Sequence, residues 1–194
     1  GGINFLQAGV SSSDMITTVS PTYAHEIQTA EGGFGMDGLL RARADVIKGI
    51  LNGADLRQWN PEIDKKIPAT YSARNMAGKA KCKEELQKRM GLEVNPDIPV
   101  IGIVTRLVDQ KGIAEIFAPT YGSIYQICTD MKVQFAILGS GESWCENEIC
   151  ALQSKLPNLR AYIGYDDALS HLIEAGSDFF LMPSKYEPCG LNQI

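Results

Sequence analysis

Two cations, Arg106 and Lys111, bracket the short loop Leu107-Val108-Asp109-Gln110, and Gly112 follows. A guanidinium grips two oxygens of one anion, while an ammonium supplies a compact point charge. If a helix starts at Gly112, its unpaired amides and partial positive charge face the same anion. The competing reading is that both cations pair with Asp109 or Glu115 on the surface. A second constellation lies near the end of the chain, at Glu187-Pro188-Cys189-Gly190-Leu191-Asn192. A carboxylate there can hold a sugar hydroxyl, and the amides of Gly190, Leu191 and Asn192 would face an anion at a helix start. Cys189 reads as structural: His25 and His171 are the only histidines, and neither is placed for a Cys–His dyad. Between these lies Gly164-Tyr165, where a ligand could approach the backbone and a base could stack on the ring. The plainer reading there is a turn in which Asp166 or Asp167 caps the next helix.

Other motifs fail on their own chemistry. Gly139-Ser140-Gly141 suggests a dinucleotide fingerprint, but its third glycine would fall at Trp144. Gly78-Lys79 is followed by Ala80 and lacks the upstream glycine of a phosphate loop. The five cysteines are scattered, and Cys145 and Cys150 have no further ligands nearby, so neither a disulfide framework nor a metal site is expected. No Asn-x-Ser/Thr acceptor occurs, and a reducing compartment is the expectation.

The composition narrows the partners. The 194 residues are 44% apolar and 21% charged, which is globular, and the net charge of −5 argues against a nucleic-acid or anionic-membrane surface. One small phosphate ester at a local basic site remains compatible. The opening Gly1-Gly2-Ile3-Asn4 has no leader character, no run is long enough to span a membrane, and the end directly after a motif suggests an internal slice of something longer.

The elements that must position these residues follow from periodicity. Short helices are expected over 4–13, 23–28 and 39–44, with strands over 14–20 and 46–51. A polar stretch over 55–66, containing Trp59 and Pro61, reads as a linker and places a domain boundary near residue 56. A lysine-rich helix over 77–90, capped by Gly91, reads as a solvated face. Apolar runs at 100–104, 133–138, 159–163 and 178–182 then alternate with helical segments at 112–127, 142–155 and 168–175. Alternation of this kind predicts an α/β parallel sheet covered on both faces, with ligands beyond the carboxyl ends of its strands.

Four segments, in this order, resemble the starch synthases and bacterial glycogen synthases, glycosyltransferases of family 5. They are Leu51-Asn52-Gly53-Ala54-Asp55 with Trp59-Asn60-Pro61; Arg106-Leu107 through Gln110-Lys111-Gly112; Ile163-Gly164-Tyr165 with Ser170-His171; and Met182-Pro183-Ser184 through Glu187-Pro188-Cys189-Gly190-Leu191-Asn192-Gln193. Thr29-Ala30-Glu31-Gly32-Gly33 and Gly78-Lys79-Ala80-Lys81-Cys82-Lys83 look most like soluble plant-type starch synthases. The resemblance implies a glycosyltransferase-B fold with two Rossmann-like domains. Residues 1–56 would be the tail of the N-terminal, acceptor-side domain, and 57–194 the first half of the nucleotide-sugar-binding domain.

It also implies retaining transfer of glucose from ADP-glucose to an α-1,4-glucan, without a metal or other cofactor. Arg106 and Lys111 would meet the diphosphate and Glu187 the glucose. Gly164 and Tyr165 would line the adenine and ribose, and Cys189, Gly190, Leu191 and Asn192 the phosphate side. Thr105 and Ala54 depart mildly from the family pattern, and its Lys-x-Gly-Gly-Leu loop has no counterpart, so the 194 residues alone are expected to be inactive. The compartment would be a plastid if plant-type and the cytoplasm otherwise. Competing readings are a related transferase using UDP-glucose or another sugar nucleotide, a non-catalytic glucan-binding homologue, and a nicotinamide oxidoreductase.

Overall fold

A computed structural model describes residues 4–118 and 122–193. The chain forms two compact units, one of residues 1–54 with 187–194 and one of 55–186. The first unit carries helices α1 (Phe5–Ser12), α2 (Pro21–Glu26) and α3 (Asp37–Ala42) and strands β1 (Ile16–Thr18) and β2 (Ile47–Gly49). The strands pair in parallel, Ile16 opposite Ile47 and Thr18 opposite Gly49. Asn4 caps α1 by accepting from the Gln7 amide. Arg43 serves the other end, donating to the carbonyls of Val10, Ser11 and Ser13 and so pairing carbonyls that the end of a helix leaves open. Pro21 does not merely end the preceding strand: it opens α2, where its fixed φ and missing N–H cost nothing. Ser20 caps that helix through the Tyr23 amide, and its hydroxyl donates to the Pro188 carbonyl at 2.7 Å. Residues 187–193 thus lie in this unit, although the sequence groups them with 57–194.

The second unit is built on a sheet of β3 (Val100–Val104), β4 (Gln134–Gly139), β5 (Leu159–Ile163) and β6 (Phe179–Phe180), all parallel, in the order β5-β4-β3-β6. Helices α5 (Ile113–Phe117), α6 (Ser123–Asp130) and α7 (Ser143–Lys155) cover one face, and α4 (Ala77–Met90) and α8 (Asp167–Gly176) the other. Side-chain alternation feeds both cores. Ile101, Ile103, Phe135 and Ile137 pack with Ile113, Phe117, Ile149 and Leu152, while Val100, Ala136 and Leu138 pack with Leu86, Leu169, Leu172 and Ile173. Every residue of β4 is buried, as a central strand between two helical layers requires. Gly102 has no side chain because α8 lies on it: a Cβ there would stand 2.4 Å from Ser177 Oγ and 2.7 Å from Ile173.

The strands expected over 14–20, 46–51 and 178–182 are shorter, and further elements differ in kind. The single helix expected over 112–127 is two, α5 and α6, and positions 119–121 lie outside the described residues. Ala118, the residue before Pro119, has ψ 125°, the extended geometry that a following proline imposes, and α5 stops there. The lysine-rich helix α4 runs over 77–90 and ends at Gly91 in the left-handed conformation; Lys81, Lys88 and Arg89 form the expected solvated face, but two of its lysines do not belong to it. Lys83 is buried, donating to the Pro96 carbonyl and pairing with Asp178 at 2.8 Å; Asp178 in turn accepts from the Val100 amide. Lys79 donates to the Ala175 carbonyl. All five thiols are free, and burial raises those of Cys128 and Cys145 to about 11.

Candidate functional site

The strand order places a switch point between β3 and β6. The chain steps from β3 outward through β4 to β5, then returns through α8 to the other side of β3. The crevice beyond the carboxyl ends of β3 and β6 is where open parallel sheets take ligands. The loops that follow these two strands, 105–112 and 183–186, are joined directly. The Lys185 amide donates to the Gln110 carbonyl at 2.9 Å, and Gln110 Nε2 donates to the Tyr186 carbonyl at 3.2 Å. Gly112 is in the left-handed region at φ 70°, and a Cβ would sit 2.2 Å from the Pro183 carbonyl oxygen. Only glycine satisfies both the backbone angle and the contact.

Within the first loop, Leu107 is fully buried and anchors the turn, which leaves Arg106 exposed at the rim. Lys111 ends a short 3-10 turn (Asp109–Lys111) and its amide donates to the Val108 carbonyl. The helix behind it, α5, is only five residues long, so its dipole is a smaller source of positive potential than a helix over 112–127 would be. Asp109 and Glu115 are both bonded by a third cation. Lys185 Nζ lies 2.8 Å from Asp109 and 2.9 Å from Glu115. Charge-assisted bonds from Lys185 hold Glu115 below its ordinary range and raise Lys185 in return, through Asp109 first and Glu115 second.

The rim continues along the sheet. The Leu107 amide donates to the Ser140 carbonyl, and the Glu142 amide to the Leu107 carbonyl. Gly139 and Gly141, which do not form a dinucleotide fingerprint, are where the first loop crosses: a Cβ at either would lie 2.1 Å from the Thr105 oxygen or 2.2 Å from the Leu107 oxygen. The Gly164 amide then donates to the Gly139 carbonyl, which ties in the end of β5. Tyr165 is 86% exposed there, and Asp166 caps α8 by accepting from the Leu169 amide. Arg106, Lys111, Gly164 and Tyr165 therefore share one rim of one unit. Glu187, Cys189, Gly190, Leu191 and Asn192 belong to the other unit, where Glu187 and Cys189 are half-buried and Leu191–Gln193 form a 3-10 turn.

Trp59 and His171, both within the motif segments, meet in a second cluster. His171, buried in α8, is hydrogen-bonded through Nδ1 to Asp64 Oδ2 at 2.6 Å, and its Nε2 lies 3.2 Å from Lys66 Nζ. An ammonium can only donate, so Nε2 accepts and the proton sits on Nδ1. Trp59 stacks on a face of the imidazole. A cleft of about 210 Å³ opens beside them, lined by Trp59, Asn60, Asp64, Tyr71, His171 and Glu174. Burial, with the Asp64 charge second, raises Glu174 to about 7. Among the described residues no group of three or more His, Cys, Asp or Glu could hold a metal ion, and no helix is long and apolar enough to cross a membrane.

Residues 1–42 match the starch synthase catalytic domain. Glycogen synthases of Treponema denticola and Myxococcus xanthus are 59% and 52% identical over 99% of this chain, which spans 39% of each of those proteins. The catalytic domain of starch synthase IV from Arabidopsis thaliana, bound to ADP and acarbose, superimposes with a TM-score of 0.87 at 37% identity, over 98% of this chain and 39% of that one. The chain belongs to the starch and glycogen synthase family. Its parallel-sheet units are accordingly part of a glycosyltransferase-B fold. A sucrose-phosphate synthase from Thermosynechococcus elongatus, with a TM-score of 0.57 at 15% identity, shares that fold alone. Within the starch and glycogen synthase family, identity to the two bacterial glycogen synthases exceeds that to the plant enzyme.

Proposed function

We propose that the protein carrying this chain transfers glucose from ADP-glucose to the non-reducing end of an α-1,4-glucan with retention of configuration. The observation that carries this is the crevice at the β3–β6 switch point, where Arg106 and Lys111 sit on a loop hydrogen-bonded to 183–186. Breaking the bond between glucose and ADP builds negative charge on the leaving phosphate oxygen. Cations fixed by the backbone stabilise that charge in the transition state and need no reorganisation as it forms.

In this reading Arg106 and Lys111 contact the diphosphate, and Gly164 and Tyr165 the ribose and adenine. The amides of Gly190, Leu191 and Asn192, beside Cys189, complete the phosphate contacts, and Glu187 is the carboxylate at the glucose. No metal or other cofactor takes part. The solved starch synthase IV holds ADP and acarbose, which supports a nucleotide donor and a glucan acceptor here. Similarity to bacterial glycogen synthases favours the cytoplasm over a plastid.

The test is radiolabel transfer into glycogen by the full-length protein. ADP-glucose should be the donor, UDP-glucose should give little product, and Glu187→Gln should abolish transfer while sparing glucan adsorption. Preferential use of UDP-glucose, or full turnover by Glu187→Gln, would overturn the assignment. The 194 residues alone should give no product above a boiled control.

A further inference from the structure

Lys185 is not among the residues that the family motifs single out for the donor, yet its ammonium bonds two carboxylates that flank Lys111 in sequence. Its Nζ is 2.8 Å from both carboxylate oxygens of Asp109 and 2.9 Å from Glu115 Oε1. Asp109 opens the 3-10 turn that Lys111 closes, and Glu115 lies one turn further on in α5. Both carboxylates therefore stand on the segment that would receive a diphosphate. Left uncompensated, they would repel it.

We propose that Lys185 is a positioning residue of the donor site, acting through Asp109 and Glu115: it neutralises these two carboxylates, so that they do not repel a sugar-nucleotide diphosphate. The inference rests on the ADP-glucose reading. Backbone bonds already join the loops, through the Lys185 amide to Gln110 and Gln110 Nε2 to Tyr186. The Lys185 ammonium is thus free to serve electrostatics, whereas the amide serves architecture. Its side chain is 40% exposed, so a substitution leaves no buried void.

Calorimetric titration of ADP into the full-length protein tests this, with thermal unfolding run on every variant. Lys185→Met should weaken ADP binding on the order of tenfold at low salt, and by less as salt screens the carboxylates. Lys185→Arg should retain affinity. The triple variant Lys185→Met/Asp109→Asn/Glu115→Gln should bind at least as tightly as the wild type, because the repulsion is gone. A merely structural lysine would leave the triple variant as weak as Lys185→Met or weaker, which would overturn the inference. Unchanged affinity in Lys185→Met would do the same and leave the donor reading standing. A wild type that takes UDP but not ADP would overturn the ADP-glucose reading itself, and this inference with it.

Discussion

The indole of Trp59 lies on the imidazole of His171, ring centroids 3.8 Å apart and planes 11° from parallel. Residues 112 positions apart in the chain are thereby locked, and the polar stretch that follows Ala54 is pinned to α8. The Asp64 carboxylate fixes the imidazole from its edge. Helix α8 also begins at Asp166, directly after Gly164-Tyr165. The stack therefore connects the entry of the second unit to the helix behind one proposed nucleotide contact.

His171→Ala should destabilise the protein by about 3 kcal/mol, because it opens a void beneath Trp59 and leaves Asp64 Oδ2 without the imidazole donor. Asp64→Asn, which keeps shape and one acceptor, should cost only about 1 kcal/mol. Urea unfolding followed by circular dichroism measures both. A loss below about 0.5 kcal/mol for His171→Ala, the range of an ordinary surface change, would mean that the stack does not hold the segment.

Glu174 predicts a pH dependence of stability. Its folded pKa of about 7 lies above the ordinary value of 4.5, because the buried site favours the neutral acid. The unfolded chain therefore releases this proton first. The stabilisation is fully present below about pH 4.5 and is lost as pH rises through about 7. Glu174→Gln cannot ionise and should flatten that decline, so its melting temperature relative to wild type should rise between pH 5 and pH 8. Parallel melting curves across this interval would contradict the placement of Glu174 in a desolvated cleft.

Two left-handed glycines should respond differently to alanine. At Gly91 the added methyl meets open space, and the cost should be about 1 kcal/mol of backbone strain. At Gly112 the same strain is joined by a methyl forced to 2.2 Å from the Pro183 oxygen, so loop 105–112 must part from 183–186. Gly112→Ala should cost at least about 2 kcal/mol more than Gly91→Ala in denaturant unfolding and should weaken ADP binding, which Gly91→Ala should not. Equal losses at the two positions would mean that the loops are not held together at Gly112.

Much of the second unit was legible because its elements obey local rules. A lysine-rich run closed by a glycine gave α4 over 77–90, and continuous apolar runs gave β3 and β5 over 100–104 and 159–163. The break between α5 and α6 was written in Pro119, but the apolar spacing on either side continues through it and masks the stop. Burial of Lys83 had no local signal, since its partner Asp178 is 95 residues away and arrives only when β6 pairs with β3. The same holds at the rim. Arg106 and Lys111 stand out by type and spacing, whereas the pairing of Lys185 with Asp109 and Glu115 depends on a crossover that no window of sequence contains. Trp59 and His171 were visible as motif residues, and only their meeting in space gives them a task.

The most direct test of the central claim is a crystal structure of the full-length protein with ADP. The account predicts the nucleotide in the crevice beyond β3 and β6, its phosphate oxygens within about 3 Å of the Arg106 guanidinium and the Lys111 ammonium. ADP seated elsewhere, for example against Trp59, with Arg106 and Lys111 both turned to solvent, would contradict it.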